Sequence, residues 1–393
     1  MAHIAVFNPP AAGHVNPCHG VVKELVRRGH RVSYPGTTTY AEQIKETGAD
    51  YVEYLSTWQV SGPKKLPNLR GRQFVTMLSL LVTETKAVYP VLLDRFAGDE
   101  PDLVLVDGAM AWWGRALGLR WDVPIVELWP VFASNDKWAM NQKYTRFSPV
   151  NPRFLLSIAR LASWLKQQGI EVDLRDFTYG SCARMRLVMI PKFFHYAGDT
   201  FDDSYHFVGP CYDNHAREGG WVRPASASKV VLLTLGTIYQ SESVFRTCLE
   251  ALDDPSWHVV VAGAKPGAVP VPTPRNVEVH TFLPRLGDVL AHADLLVSHG
   301  GMGTTLEALR HEVPSIALPQ MAEQEANSDR IAELGLGVKL APAEVTPARL
   351  RETARAVMAD AGIRDELRRR GAETRGCGGS PAAADAVESL LTR

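Results

Sequence analysis

A chain of 393 residues, 46% of them hydrophobic, is long enough for two domains with well-filled cores. Lys and Arg total 42 against 43 Asp and Glu, and a net charge of −1 leaves no electrostatic footprint for nucleic acid or for stable membrane association. The five cysteines are odd in number, scattered and without a C-x-x-C pair, which argues against a disulfide framework or zinc site and for a reducing cytoplasm.

The opening "MAHIAVFNPP" runs straight into a strand pattern with no basic leader, and no stretch approaches about eighteen consecutive apolar residues, the mark of a membrane span. Both features read as a soluble, cytoplasmic protein. "IAVFN" (Ile4–Asn8) is the first predicted strand. After a Gly-His loop, "HGVVKELVRRGH" places Val21, Val22, Leu25 and Val26 at helical spacing, and Gly29 closes the helix. "RVSYP" (Arg31–Pro35), "DLVLVD" (Asp102–Asp107) and "PIVELW" (Pro124–Trp129) follow as strands, the last two separated by a helix around Trp112 to Trp121. "GPCYDNHAREGGWVRPASAS" (Gly209–Ser228) has no periodicity and reads as a linker. Beyond it, "KVVLLTLGT", "WHVVVAG", "NVEVHTF", "ADLLVSH" and "PSIALPQ" are further strands with helical patterns between most of them. Such alternation, with near-continuous apolar strands, predicts parallel sheets covered on both faces. The domains expected are 1–208, a linker at 209–228, 229–375, and a C-terminal helical segment at 376–393. Ligands of two such doubly wound α/β domains bind at the carboxyl ends of the strands.

The stretch "ADLLVSHGGMGTTLEALRHEVPSIALPQ" (Ala293–Gln320) carries the strongest chemical signal. An apolar strand ends in Ser298 and His299, and Gly300, Gly301 and Gly303 precede a helix starting near Thr304. Glycines let the backbone approach a ligand closely, and the amides of a helix's first turn are unpaired donors at the positive end of its dipole. That is a phosphate-binding design, although the same glycines also suit a plain turn. His299 adds a donor to a phosphate oxygen, and the Glu307 carboxylate suits the vicinal hydroxyls of a ribose. Neither a Walker A sequence nor G-x-G-x-x-G occurs.

The longer segment "FLPRLGDVLAHADLLVSHGGMGTTLEALRHEVPSIALPQMAEQEAN" (Phe282–Asn327) resembles the nucleotide-sugar signature of the UDP-glycosyltransferase superfamily, and most of all its bacterial macrolide and antibiotic branch. "GHVNP", "ELVRRGHRVSY" and "LLTLGT" extend the likeness over most of the scaffold, leaving roughly residues 55–100 and 130–205 unmatched. The resemblance implies a GT-B fold, two Rossmann-like domains facing a cleft. It implies that His299, Gly301, Gly303 and Thr304 contact the diphosphate together with Thr237, and that Glu307 holds the ribose. Glu323 and Gln324 match the pair that reads sugar hydroxyls, Phe282 falls at the base subsite, and Leu283 is counted with the nucleotide-sugar-binding residues. Phe282 stands where many relatives have a stacking Trp, and Arg285 where they have Gln, so the preference between uridine and thymidine is open.

His14 lies just past the first strand and Asp107 ends the "DLVLVD" strand. Parallel strands in one sheet would bring both to the same edge as a His–Asp pair, suited to taking a proton from an acceptor hydroxyl. Read alone, His14 also fits a turn or helix cap; the resemblance makes it the catalytic base and Asp107 its partner, with His19 as the rival base. No D-x-D motif is present, so the expectation is transfer without a metal or other cofactor, by a single inverting displacement that the resemblance implies. The first domain is expected to bind the acceptor, a small hydrophobic natural product, through Trp58, Phe74, Met77, Trp112 and Phe132, residues that core packing also explains. The polar loop Ser56–Phe74 reads as an acceptor lid, and its Lys64, Lys65, Arg70 and Arg72 as a solvated face. UDP-glucose is the favoured donor, with deoxysugars on thymidine diphosphate open. A transferase acting on a lipid-linked acceptor, or a non-catalytic helper that binds nucleotide sugar, are the competing readings.

Overall fold

The apolar runs that alternate with helical patterns become parallel strands in two separate sheets. The computed structural model describes residues 1–60, 68–212, 220–236, 242–269, 272–281, 283 and 285–391. Contacts divide the chain into unit 1, Met1–Asn214 with Cys377–Arg393, and unit 2, His215–Gly376. Unit 1 holds β1 (His3–Phe7), β2 (Arg31–Gly36), β3 (Asp50–Glu53), β4 (Leu103–Asp107), β5 (Ile125–Trp129), β6 (Met185–Val188) and β7 (Tyr205–Phe207), in the order β3-β2-β1-β4-β5-β6-β7. Unit 2 holds β8 (Lys229–Thr234), β9 (Trp257–Ala262), β10 (Val277–His280), β11 (Leu295–Ser298), β12 (Ser315–Ala317) and β13 (Gly337–Lys339), in the order β10-β9-β8-β11-β12-β13.

Both orders have a switch point where the chain turns from building the sheet one way to building it the other. In unit 1 it lies between β1 and β4, paired in register Ile4 to Leu103 and Phe7 to Val106. In unit 2 it lies between β8 and β11, paired Val297 to Leu233 and Ser298 to Thr234. The interiors of the central strands are apolar at consecutive positions because side chains alternate between two covered faces. Ala5, Phe7, Val104 and Val106 enter one core of unit 1, while Ile4, Val6, Leu103 and Leu105 enter the other. Unit 2 splits likewise, Val231, Leu233 and Val297 to one side and Val230, Leu232 and Leu296 to the other.

One core of unit 1 is completed from the far end of the sequence. In the helix Gly379–Leu391, Ala383, Ala384 and Val387 are buried beside Val21, Val22 and Leu25. Arg28 bonds Asp385 at 2.6 Å and Glu388 at 2.7 Å, and His30 bonds Glu388 at 3.0 Å. A side chain at Gly20 would run into the Cys211 carbonyl and Ser380 Oγ, both 2.5 Å from where its Cβ would lie. Of the expected linker, residues 213–219 lie outside the described residues, and the part beyond them is tied to unit 2. There the Trp221 indole donates to Glu278 at 3.1 Å and Arg223 to the His292 carbonyl at 3.1 Å.

The expected Ser56–Phe74 loop is partly helical: Thr57–Val60 forms one turn, Phe74 lies in the helix Arg72–Arg95, and Lys64 and Lys65 fall outside the described residues. That 24-residue helix is long and apolar enough to cross a membrane, but over half of its most apolar stretch is buried, and it packs on the helices Trp112–Trp121 and Pro152–Gln167.

Candidate active site

Asp107 closes β4 with its carboxylate fully buried, and its Oδ1 accepts the amides of Ala109 (3.1 Å) and Met110 (2.8 Å). Those two bonds turn the chain away from the sheet and aim Oδ2 toward β1. His14, on the short helix Ala12–Val15 that follows β1, meets it there, with Nδ1 2.7 Å from Oδ2. The His14 side chain is 13% exposed, with Nδ1 turned to the carboxylate. Asn8, just past β1, fixes the backbone beneath: its amide donates to the His14 carbonyl at 2.9 Å and to Cys18 Sγ at 3.2 Å. Burial and the nearby Asp107 charge hold the Cys18 thiol far above the ordinary range, so it remains a neutral donor, bonding the His14 carbonyl at 3.2 Å. His19 begins the helix His19–Arg27, and the Asp107 carboxylate is directed to His14.

A second layer secures the turn after Asp107. Arg115, wholly buried, donates from Nε to Glu127 at 2.7 Å and from another nitrogen to the Gly108 carbonyl. The Trp129 indole closes on the other Glu127 oxygen at 2.9 Å. Sequence reasoning did not single out Asn8, Arg115 or Glu127; the one available signal was a charged residue inside each of two otherwise apolar segments.

In unit 2 a second candidate site lies where β11 ends. His299 follows Ser298, and its ring is wedged between two glycines. A Cβ on Gly236 would lie 2.8 Å from His299 Cε1, and one on Gly301 2.6 Å from Nε2. Gly236 also has φ +72, a backbone conformation that other residues rarely adopt. Burial lowers the His299 pKa below the ordinary histidine value, against a weaker pull from the Thr234 backbone, so the ring is a neutral donor. Gly301 is the N-cap of the nine-residue helix Met302–Arg310, with φ −66 and ψ 139. Gly303 in its first turn is exposed, with open space where a side chain would stand, and Thr304 follows it, partly buried. The first-turn amides therefore point at an accessible surface.

Glu307 sits one turn further along. Burial raises its carboxyl from 4.5 to about 7, despite the Gly287 backbone, Arg310 and Arg285, which favour the charged form. Gly287 is the contact that sequence reasoning missed: a Cβ there would lie 2.8 Å from Glu307 Oε1. Glu323 and Gln324 lie in the first turn of the helix Ala322–Glu333, Glu323 partly exposed and Gln324 buried with its Oε1 accepting the Gln320 amide at 2.9 Å. The same helix locks the glycine loop, for Asn327 donates to the Gly300 carbonyl at 2.8 Å and Ser328 stacks under Gly300. Leu283 packs against the core on the β9 side, while Thr237 and Phe282 lie outside the described residues. Among the described residues no group of three His, Cys, Asp or Glu is placed to hold a metal ion.

The five aromatic and sulfur side chains expected at the acceptor divide into three places. Met77 and Trp112 are buried in one unit 1 core, and Trp58 packs against it. Phe74 stacks on Phe147 at 4.5 Å between ring centres. Phe132 belongs to a separate aromatic nest with Trp138, Phe194, His195 and Tyr196.

Two six- or seven-stranded parallel sheets, a His–Asp pair at one switch point and a glycine-capped helix at the other define the GT-B class of sugar-transferring enzymes. Residues 247–388 match the family model described as the C-terminal domain of erythromycin biosynthesis protein CIII-like. The chain is 40% identical to the demethyllactenocin mycarosyltransferase of Streptomyces fradiae, over all of this chain and 87% of that one. It is 39% identical to the oleandomycin glycosyltransferase of Streptomyces antibioticus, over 99% of this chain and 91% of that one. Among solved structures, a calicheamicin glycosyltransferase superposes with a TM-score of 0.87 at 32% identity, covering 100% of this chain and 99% of its own. The chain belongs to the antibiotic glycosyltransferase branch of the GT-B enzymes, which transfer sugars to small-molecule acceptors.

Proposed function

We propose that this protein moves a sugar from a nucleoside diphosphate to a hydroxyl of a hydrophobic natural product such as a macrolide, polyketide or phenolic, in one inverting displacement that needs no metal or other cofactor. The observation carrying the reading is the 2.7 Å bond between His14 Nδ1 and the buried Asp107 carboxylate. With Nδ1–H donated to Asp107, Nε2 is left as the base. It takes the acceptor proton while the acceptor oxygen attacks the anomeric carbon from the face opposite the diphosphate, and the carboxylate stabilises the imidazolium formed.

The departing diphosphate gains negative charge as the glycosidic bond breaks. In unit 2 the amides at Gly301, Gly303 and Thr304 and the neutral His299 ring are the donors set to receive it. Thr237 would add a hydroxyl, Glu307 would take the ribose hydroxyls, and Glu323 with Gln324 would read the sugar. UDP-glucose is the donor we favour; the mycarosyl-transferring relative makes thymidine-linked deoxysugars the next to test. A cytoplasmic site of action fits the scattered free cysteines. The test is mass-spectrometric: parent and His14→Ala proteins receive each donor with EDTA and a panel of macrolide and phenolic acceptors. A sugar mass gain with the parent alone is expected. Equal gain with both would move the base away from His14, and a gain only without EDTA would reinstate a metal.

A further inference from the structure

Unit 1 buries three carboxylates completely, Glu84, Asp107 and Glu127, each 0% exposed. Two of them have a basic partner: Asp107 holds His14, and Glu127 holds Arg115, with Arg186 3.9 Å away. Glu84 is different, because among the described residues no Lys, Arg or His comes within ion-pair distance of it. Its Oε2 accepts the Thr57 amide at 2.8 Å and the Thr57 hydroxyl. Its Oε1 is shut off from solvent and has no hydrogen-bond partner among the described residues. The indole N–H of Trp58, the residue after Thr57, is in the same condition. A buried carboxylate with an unsatisfied oxygen and no countercharge is among the costlier arrangements a core can hold.

The surroundings say what would satisfy it. Glu84 lies two turns along the helix Arg72–Arg95 from Met77, on the same buried face. Trp58, Met77, Trp112 and Tyr54 share the core on that side, with the Tyr54 ring 6.4 Å from that of Trp113. The Glu84 charge is felt by the Tyr54 hydroxyl, adding to the burial that holds its pKa high. A carboxylate beside an aromatic-rich core attracts an organic cation by its charge, and neighbouring ring quadrupoles add to that attraction. Among the described residues the cover on this side is the single turn Thr57–Val60, preceded by Leu55 at 74% exposed and ending in Val60 at 73%.

We propose that Glu84 is a substrate-recognition residue for a protonated amine on the acceptor, reached when the Thr57–Val60 turn moves aside and the ammonium takes over the bonds that Thr57 supplies. This rests on the transferase reading, so binding and turnover are measured separately. The probes are a macrolide glycoside bearing a dimethylamino sugar and the same molecule with that nitrogen demethylated and acetylated to a neutral amide. Parent and Glu84→Gln proteins are compared by equilibrium binding of each probe and by kcat/KM, with amide exchange over the helix Arg72–Arg95 of unit 1 as the check on folding. The substitution is expected to weaken the amine's binding about a hundredfold and to change the amide's less than about tenfold. Equal losses for both probes, or none for either, would overturn the assignment and leave Glu84 as an anchor for the turn. Should Glu84→Gln fail the folding check, Thr57→Val removes the hydroxyl donor to the same oxygen, leaving only the residue 57 amide on it, and is expected to tighten amine over amide binding about threefold or more; no such gain would count equally against it. Tighter amine binding in a parent protein that glycosylates neither probe would instead sink the transferase reading and leave this one standing.

Discussion

Glu307 offers a quantitative test of the donor half-site that needs no substrate. Its carboxyl is raised from 4.5 to about 7, chiefly by burial. Between those limits the folded chain keeps a proton that the unfolded chain has released. The stability tied to that proton is therefore complete below about pH 4.5 and is lost as pH rises through about 7. At ~1.4 kcal/mol for each pH unit the full loss is about 3 kcal/mol. Glu307→Gln, similar in shape and unable to ionise, removes the dependence. The variant and the parent should match near pH 4.5, and the variant should be more stable by up to about 3 kcal/mol near pH 8.5. Amide exchange read by mass spectrometry over residues 295–310 confines the measurement to β11 and the helix Met302–Arg310, so unfolding of unit 1 does not enter it. Parallel pH profiles for the two proteins, or a parent that gains protection between pH 5 and 8, would refute the assignment of the raised carboxyl.

Asp107→Asn should preserve the fold but lose the charge behind His14, lowering kcat by about a thousandfold with little change in donor binding; a loss confined to KM would contradict its role. Gly301→Ala puts a Cβ 2.6 Å from the His299 ring, and displacing that ring should weaken nucleoside diphosphate binding measurably in titration calorimetry while costing about 1–3 kcal/mol of unit 2 stability. Asn327→Ala leaves the Gly300 carbonyl without its 2.8 Å donor, and faster exchange at the glycine loop should report a cost of about 1–3 kcal/mol. Arg115→Met strands the Glu127 carboxylate and should cost about 3–5 kcal/mol, seen as a lower midpoint in urea unfolding of unit 1.

Most strands that sequence reasoning found are runs that are largely apolar and buried, since a run such as "LVLVD" has few other uses. The strands it missed carry weaker signals. β3 is half exposed as "DYVE", β6 hides a charge in "MRLV", and β7 and β13 are three residues each, shorter than any periodicity window. In the site, Asp107 was legible because it stands where an apolar strand meets a loop, whereas His14, which alone also fits a turn or helix cap, was singled out by the resemblance. Asn327 and Gly287 were not, because their partners, the Gly300 carbonyl and Glu307, lie 27 and 20 positions away in sequence and neither contact leaves a local pattern. Glu84 was hidden for a related reason: a lone acid in a long helix ordinarily faces water.

The helix Gly379–Leu391 has a consequence for how the molecule is made. The core that Ile4, Val22 and Leu25 begin is closed by Ala383, Ala384 and Val387, so residues very far apart in the sequence share one interior. During vectorial synthesis, every residue of unit 2 is joined before the helix that closes the core of unit 1. The first half of the chain must wait, with an apolar surface uncovered, through the translation of everything between. Order of synthesis and order of completion are thereby reversed, and the nascent chain's exposure to chaperones and proteases is set by the length of unit 2.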